Sequence, residues 1–427
     1  MTTLDDWTGD VHAGDAFDVL PDLPDESIHA CITDPPYGLA FMGRDWDDFE
    51  PREYQEWCEE WSRQVKRVLK PGGHLLAFSG NRTHHRLFTG VEDAGFEIRD
   101  TLTWHYGSGF PKASDVSKTI DKRADAEREV VGTYTNPRTG ESHEYANDTD
   151  TKNTYALDDR DGEAAREITE PATGAAKKWD GWKTGLKPAT EFVVLARKPY
   201  EGATVDSVLE NGTGALNIDA CRVDTNGERL SFGNREIGDG NKYNPQPEAD
   251  DGGEQHTEGR YPANVIFDEV AAEQLDEQVG ELPTGETRAE ASSIYVKDYT
   301  DEERSNKTHM NGGDSGGPSR YFYTSKASRS ERTNDGAIEN DHPTVKPIDL
   351  MEWLIRLVTR EGQVVLDPFA GSGTTCLAAK GLGREFVGIE RQDKWADVAR
   401  VRCGLTPDDP SVVRGDDAQR GLEAFDP

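Results

Sequence analysis

The sequence has little cysteine and no long apolar run. Its five cysteines are scattered, odd in number and without a Cys-x-x-Cys pair. This distribution excludes a disulfide framework and a zinc ribbon, and it indicates a reducing cytosol. No apolar stretch reaches the roughly eighteen residues that a membrane-spanning helix needs, so we expect no membrane span. The first residues, MTTLDDWTGD, contain neither a basic nor an apolar segment, so we expect no secretory signal.

Basic side chains are also scarce. The 427 residues include 48 lysines and arginines against 82 aspartates and glutamates, which gives a formal net charge of −34. Such acidity either repels nucleic acid and argues against a DNA partner, or it keeps the protein soluble in a salt-rich cytoplasm. The acidic residues are spread along the whole chain and do not form a tail, which favours the second interpretation. We therefore expect a cytoplasmic protein from a high-salt (halophilic) cytosol.

Two stretches of the chain alternate between strand and helix patterns, and a long polar middle separates them. In the first stretch, a strand pattern at 28–33 stops at two prolines, which cannot continue a ladder. The other patterns of this stretch are a helix at 51–69, ending at Pro71-Gly72-Gly73, and strands at 74–78 and 96–104. The patterns of the second stretch are helices at 347–360, 373–380 and 392–403 and strands at 363–366 and 385–389. Apolar islands at 191–196 and 262–267 predict two further core strands. This order predicts an α/β protein with a parallel sheet covered by helices.

A glycine-rich segment, Asp367-Pro-Phe-Ala-Gly-Ser-Gly-Thr-Thr375, lies between a predicted strand and a predicted helix. Gly371 and Gly373 allow a tight turn and a close approach of the backbone to a ligand, and the helix start offers free N–H groups. Glu390 ends the next strand, about twenty residues on, where a carboxylate accepts hydrogen bonds from ribose hydroxyls. No lysine follows the glycines, so the segment is not a phosphate-binding P-loop. A lone Gly-Ser-Gly turn is uninformative, but the full order predicts a nucleoside cofactor.

The tetrapeptide Asp34-Pro35-Pro36-Tyr37 follows a predicted parallel strand, at the sheet edge where α/β proteins bind ligands. An isolated Asp-Pro is most often a turn, but two prolines fix a carboxylate and a ring more rigidly than a turn needs. The exocyclic amino group of adenine or cytosine is a poor nucleophile, because its lone pair is delocalised into the ring. Asp34 and the Pro35 carbonyl can accept both of its N–H bonds, and Tyr37 offers a face for an unstacked base.

These residues resemble those of the amino-methylating DNA methyltransferases, which use S-adenosylmethionine. Asp34–Tyr37 is similar to their catalytic motif and Asp367–Thr375 to their cofactor motif, in the permuted order of the β class. His342-Pro-Thr-Val-Lys-Pro347 resembles the segment that closes over the methionine end of the cofactor, and Gly14-Asp15 resembles the acid that contacts its adenine. Segments of the middle, among them Lys187-Pro-Ala-Thr-Glu191, are similar to those of phage and prophage members.

The resemblance implies a Rossmann-like methyltransferase sheet with helices on both faces and a large polar insertion that forms the target-recognition region. It implies that Asp34, Pro35 and Tyr37 handle the target base, with Pro36 as their stiffener. The cofactor site that it implies consists of Asp15, Lys346, Asp367, Phe369, Gly371, Ser372, Gly373, Thr374 and Glu390. The implied reaction is an in-line displacement at the sulfonium methyl group. It needs no metal ion, and the His and Cys spacing suggests none.

On this interpretation the chain has six segments. They are the catalytic half of the core (1–110), a polar target-recognition insertion (111–190), a core strand with its connection (191–223), further polar insertions with a core strand near 262–267 (224–340), the cofactor-binding half of the core (341–405) and a C-terminal tail (406–427).

We expect the polar middle to contact DNA. Two clusters, at 177–187 and 320–332, combine lysines and arginines with aromatic rings, which suits phosphate contacts and base stacking. Each cluster alone is equally typical of a solvated loop. The expected partner is double-stranded DNA with the target base flipped out. The recognition sequence, a cognate restriction nuclease and the oligomeric state, a dimer included, are not readable from the sequence.

Several alternatives remain open. Adenine N6 is the favoured target, because cytosine-N4 members of the family more often have serine at the position of Asp34; cytosine N4 is the alternative. More distant alternatives are a nicotinamide-dependent oxidoreductase, which leaves Asp34–Tyr37 unexplained, and a catalytically silent DNA-binding module. Gly313-Asp-Ser-Gly-Gly-Pro318 matches the nucleophile segment of trypsin-like proteases. It lies in a polar stretch between α/β patterns, so we interpret it as a glycine loop.

Overall fold

The computed structural model describes most of the two α/β stretches and parts of the polar middle. The described residues are 3–39, 47, 49–109, 113–133, 167–224, 259–284, 314–325, 340, 342 and 345–413. The predictions for 326–332, for positions 343 and 344 and for the end of the tail lie outside them. No helix in these ranges is both long and apolar enough to cross a membrane.

The described chain contains thirteen strands and ten α-helices, numbered in chain order. The strands are β1 (Asp10–Ala13), β2 (Ile28–Thr33), β3 (Leu69–Ser79), β4 (Glu97–His105), β5 (Glu129–Thr133), β6 (Glu167–Glu170), β7 (Thr190–Arg197), β8 (Val265–Asp268), β9 (Leu282–Thr284), β10 (Asp314–Gly316), β11 (Tyr323–Ser325), β12 (Val364–Asp367) and β13 (Glu385–Glu390). The helices are α1 (Ala16–Val19), α2 (Pro51–Val68), α3 (His84–Asp93), α4 (Val116–Arg123), α5 (Gly174–Lys178), α6 (Thr204–Asn211), α7 (Glu269–Val279), α8 (Ile348–Val358), α9 (Thr374–Gly381) and α10 (Asp393–Arg402).

Nine strands form the central sheet, in the order β1-β13-β12-β2-β3-β7-β4-β8-β11. The pairs from β1 to β3 are parallel, whereas β7 pairs antiparallel with β3. Strands β2 and β12 come from opposite ends of the sequence, yet they pair at Val365↔Ala30 and Leu366↔Cys31. Because parallel strands end at the same edge, the segments that follow β2 and β12 lie side by side.

Helices cover both faces of the sheet, because neighbouring residues of its buried strands point to opposite sides. Ala30 and Ile32 of β2 belong to a core cluster that includes residues of α8, α9 and α10. Ile28 and Cys31 belong to a second cluster on the other face, with residues of α2 and α3. The Rossmann-like α/β fold expected from the sequence is therefore confirmed.

Helix α2 shows how local sequence shapes one of these layers. Pro51 occupies its first turn, where the missing N–H costs nothing. Its buried side chains recur at helical spacing on the face toward the sheet and are Tyr54, Cys58, Trp61, Ser62, Val65 and Val68. The helix ends at Val68 because Leu69 is already extended, with ψ of 140°.

The chain divides into two compact units. The first comprises residues 1–107, 191–339 and 345–427, and it contains the nine-stranded sheet. The second comprises residues 108–190 and 340–344. In the second unit, β5 and β6 form an antiparallel pair, and the buried carboxylate of Asp121 accepts hydrogen bonds from Arg128 and from the backbone N–H of Ala172 and Thr173.

The observed strands differ from the sequence predictions in four ways. Strand β3 begins at Leu69 and runs through Pro71-Gly72-Gly73, so the helix stops before the glycines that were expected to end it. The antiparallel direction of β7 and the short strands β1 and β11 are not indicated by the patterns. Within the protease-like segment, Asp314–Gly316 forms β10, which pairs with β9.

Candidate active site

The two predicted motifs meet at adjacent strand ends. Thr33, the last residue of β2, donates its hydroxyl hydrogen to Asp367 Oδ1 at the end of β12, with 2.6 Å between the oxygens. The same Asp367 oxygen accepts the backbone N–H of Phe369 at 3.1 Å. Asp367 is only 3% exposed. The buried Asp367 carboxylate thus links the end of β2, the strand that precedes Asp34–Tyr37, to the start of the glycine loop.

The loop after β2 is braced by groups outside the tetrapeptide. Tyr54 of α2 donates its hydroxyl hydrogen to the Pro36 carbonyl at 2.9 Å. Asp47, which is buried, accepts the backbone N–H groups of Gly38 and Leu39. Among the described residues, no group donates to the Pro35 carbonyl. The prolines and these contacts therefore hold the Asp34 segment rigid while leaving the Pro35 acceptor available.

Asp34 forms a polar cluster with three other side chains, those of Tyr37, Glu191 and Lys346. Tyr37 Oη donates to Asp34 Oδ1 at 2.8 Å and lies 3.1 Å from Glu191 Oε2. Lys346 Nζ lies 2.5 Å from Asp34 Oδ2 and 3.3 Å from Glu191 Oε2. The Lys346 side chain is only 9% exposed. One hydroxyl and one ammonium are therefore shared between two carboxylates.

Burial and mutual charge shift the pKa values in this cluster. Burial raises the pKa of Tyr37 well above its usual value, and the charges of Asp34 and Glu191 add to the effect. Burial likewise raises the pKa of Glu191, although the charge of Lys346 opposes it. Burial alone would lower the pKa of Lys346, but the two carboxylates outweigh it and raise that pKa. Lys346 is therefore a permanent cation at neutral pH, and Tyr37 stays protonated.

Burial makes the ionised form of Asp367 unfavourable. Burial raises its pKa to about 6, while hydrogen bonds from Thr33, Thr375 and the Phe369 backbone lower it. The negative charge of Asp34 contributes to the rise. A carboxylate that a fold buries at such a cost is a candidate for function, because a neutral residue would be more stable there.

The glycine loop requires glycine at two positions. Gly371 and Gly373 have φ of 55° and 81°, in the left-handed region that other residues rarely adopt. A Cβ atom on Gly373 would lie 2.6 Å from the Cβ of Ala399 in α10. The loop is anchored from behind by buried Arg402, whose Nη1 donates to the Ser372 carbonyl at 2.7 Å and to Thr374 Oγ1 at 3.0 Å.

The two acids predicted to bind a nucleoside lie at neighbouring strand ends. Glu390 ends β13, and its carboxylate accepts the backbone N–H of Gly371 at 2.9 Å and of Gln392 at 2.8 Å. Burial raises the pKa of Glu390. Asp15 follows β1, the strand paired with β13, and it caps α1 by accepting the Phe17 N–H. Each carboxylate keeps further acceptor lone pairs.

Phe369 has a packing role in this structure. Its ring lies 5.4 Å from the ring of Trp57 and 5.6 Å from that of Trp61, measured between centroids. It therefore joins the glycine loop to α2, the helix that also braces Pro36 through Tyr54.

The structure brings most of the predicted residues together, but some of them have other contacts than the sequence predicts. Lys346, which the resemblance assigns to the cofactor, contacts Asp34, Tyr37 and Glu191. The side-chain oxygens of Ser372 and Thr374 accept hydrogen bonds from Arg402. The sequence patterns do not point to Glu191, Arg402 or the Thr33 hydroxyl as site residues. Glu191 stands in a segment that resembles phage members, and this is the one signal that could have found it.

Comparison with known families gives a match over most of the chain. Residues 28–400 match the model of a family described as DNA methylase and designated N6_N4_Mtase. The matched span includes Asp34–Tyr37, Glu191, Lys346, the glycine loop and Glu390, whereas Asp15 precedes it.

Two individual relatives show how similar the chain is to other methyltransferases. The chain is 24% identical to the type II methyltransferase M.HindIII of Haemophilus influenzae over 92% of this chain and 95% of that protein. It is 51% identical to the type II methyltransferase M2.DpnII of Streptococcus pneumoniae over 61 residues, which are 14% of this chain and 23% of that one.

Solved structures also align along most of the chain. The PvuII DNA methyltransferase (cytosine-N4-specific) aligns with a TM-score of 0.45 and 15% identity, over 97% of this chain and 92% of that one. The M1.HpyAVI–SAM complex aligns with a TM-score of 0.35 and 16% identity, over 92% of this chain and 98% of that one.

Proposed function

The chain belongs to the N6/N4 DNA methylase family, and from that premise we propose that it transfers the methyl group of S-adenosylmethionine to the N6 amino group of adenine in DNA. The observation that carries the proposal is the contact between the two motif-bearing strands. Asp34–Tyr37 and the Asp367–Gly373 loop follow adjacent parallel strands, joined by the Thr33–Asp367 hydrogen bond. Such a transfer needs a site for the target amino group and a site for the nucleoside cofactor at the same edge of the sheet.

Asp34 and Pro35 act on the target amino group. The Asp34 carboxylate and the Pro35 carbonyl each accept one N–H, which favours a tetrahedral nitrogen with its lone pair available. Tyr37 supplies a ring face for a base that has left the DNA stack. Pro36 and the Tyr54 hydrogen bond hold these groups in place before the base arrives, so that little reorganisation is needed.

The residues around the glycine loop suit S-adenosylmethionine. Glu390 and Asp15 are carboxylates at neighbouring strand ends, and carboxylates recognise ribose hydroxyls and an adenine amino group. Gly371 and Gly373 keep the loop free of side chains, which allows a close approach of a ligand. When bound, the cofactor supplies an electrophilic methyl group on a cationic sulfonium. The net negative charge of the cluster around Asp34 favours a cation nearby.

The second unit offers a surface for DNA. Trp179 and Trp182 are 39% and 59% exposed, and their rings meet edge to face at 5.0 Å. Lys177 and Lys178 end helix α5 beside them. In an acidic chain, exposed rings next to lysines suit stacking and phosphate contacts. We assign DNA contact to this cluster, with the target base flipped out of the duplex.

The product identifies the reaction. Unmethylated plasmid DNA is incubated with the enzyme and methyl-labelled S-adenosylmethionine, digested to nucleosides and separated by chromatography. Label in N6-methyl-2′-deoxyadenosine supports the proposal, and label in N4-methyl-2′-deoxycytidine would move the target to cytosine. No label in any nucleoside, from enzyme that binds the cofactor, would contradict DNA methylation.

A further inference from the structure

Glu191 contacts the proposed catalytic residues, but the chemistry proposed above assigns it no role. It lies near the start of β7, and its Oε2 atom is 3.1 Å from Tyr37 Oη and 3.3 Å from Lys346 Nζ. Its side chain is 20% exposed. Both of its partners also contact Asp34. Glu191 thus faces the same hydroxyl and the same ammonium as the carboxylate that receives the target amino group.

The charges of the cluster explain why a second carboxylate is useful. If Lys346 had Asp34 as its sole partner, the ammonium would neutralise that carboxylate and weaken it as an acceptor. With Glu191 ionised, two negative charges share one positive charge, and the cluster keeps a net charge of about −1. Methyl transfer places positive charge on the target nitrogen until a proton leaves it. A net negative cluster stabilises that charge, and a neutral one does not.

We propose that Glu191 is a positioning residue: it draws the Lys346 ammonium away from Asp34 when the target base enters, so that Asp34 can accept the amino group. The inference rests on the proposed function. Tyr37, held between both carboxylates, keeps them at a fixed separation during the exchange. In the resting geometry Lys346 Nζ lies 0.8 Å closer to the Asp34 oxygen than to the Glu191 oxygen, from the distances of 2.5 and 3.3 Å, so a small side-chain movement completes the exchange.

Substitutions at Glu191 separate its charge from its shape. Glu191→Gln keeps the shape and removes the charge, whereas Glu191→Asp keeps the charge and shortens the side chain. Single-turnover methyl transfer to unmethylated plasmid DNA, with cofactor in excess, reports the step after cofactor binding. Equilibrium dialysis of labelled cofactor reports binding itself. Asp397→Asn is the control, because it removes a different carboxylate that pairs with a basic side chain, namely buried Asp397 of α10, which pairs with Arg400.

We expect Glu191→Gln to slow single-turnover transfer by at least about tenfold with little change in cofactor binding. Glu191→Asp should retain more of the rate than Glu191→Gln, and Asp397→Asn should transfer at close to the wild-type rate. If Glu191→Gln does not fold, Glu191→Met provides a second uncharged variant of similar side-chain volume.

The opposite order would overturn the inference. If the glutamine variant transfers as fast as wild type, or faster than the aspartate variant, the charge of Glu191 has no part in transfer. The wild-type reaction in the same assay tests the underlying function separately. Transfer by wild type with an unaffected glutamine variant removes the role of Glu191 alone, whereas no transfer by wild type removes the proposed function.

Discussion

Asp367 allows a quantitative test of how the site is built. Burial raises its pKa to about 6, whereas the pKa of an aspartate in an unfolded chain is about 3.9. The folded chain therefore holds this proton more tightly than the unfolded chain does. The resulting stability is fully present below about pH 4 and is lost as the pH rises through about 6. The loss amounts to about 3 kcal/mol in total, of which about 1.4 kcal/mol falls between about pH 5 and about pH 8.

Asp367→Asn removes this cost, because asparagine has nearly the same shape and does not ionise. The free energy of unfolding of the variant should exceed that of wild type, and the difference should grow by about 1.4 kcal/mol from about pH 5 to about pH 8. Urea unfolding followed by tryptophan fluorescence, at constant salt, measures both proteins. The variant should also bind S-adenosylmethionine more weakly, since it lacks a charge at the start of the glycine loop.

Thr33→Val is the matched control for this prediction. It removes the hydroxyl that donates to Asp367 but leaves the carboxyl group free to titrate. It should lower the free energy of unfolding at about pH 8 by about 1.5–3 kcal/mol, the usual contribution of a hydrogen bond to a charged group. A stability difference between Asp367→Asn and wild type that stays constant with pH, or shrinks as the pH rises, would refute the reasoning.

Three further predictions concern the loop, the DNA surface and the charge. Gly373→Ala should lower the free energy of unfolding by about 2 kcal/mol or more, because Gly373 has a positive φ and a Cβ atom there would contact Ala399. Adding Ala399→Gly to the same chain should restore part of that stability, and no restoration would locate the strain elsewhere. Trp182→Ala should weaken duplex DNA binding in fluorescence anisotropy about tenfold with an unchanged melting temperature; equal affinity would remove Trp182 from the interface. Methyl transfer should increase as KCl is raised into the molar range, since salt screens repulsion between DNA and a chain of net charge −34; a monotonic decrease from low salt would reject this.

The fold was predictable for elements whose sequence has a strong local pattern. Strand β2 is a short apolar run ended by two prolines, and α2 presents apolar residues at helical spacing after Pro51. Strands β1 and β11 have four and three residues, too few for an alternation to be recognised. The direction of β7 depends on its pairing with β3, which involves residues more than a hundred positions away. No local pattern encodes such a pairing.

The site was predictable to the extent that its residues stand in motifs. Asp34–Tyr37 and the glycine loop follow strands and Glu390 ends one, so their meeting at one edge is expected for a parallel sheet. The position of Lys346 beside Asp34 is a tertiary contact across 312 residues, whereas the motif that contains Lys346 predicts a place at the cofactor. Arg402 is an ordinary residue of an amphipathic helix until the fold buries it beneath Ser372.

The separation of cofactor binding from methyl transfer tests the central claim most directly. Equilibrium dialysis with labelled S-adenosylmethionine and single-turnover transfer to unmethylated DNA are measured for wild type, Asp34→Ala and Glu390→Ala. We predict that Asp34→Ala binds the cofactor almost as wild type does and transfers no methyl group, whereas Glu390→Ala loses binding. Loss of cofactor binding by Asp34→Ala, or normal transfer by that variant, would contradict a site in which Asp34 holds the target base beside a cofactor cradled by the glycine loop.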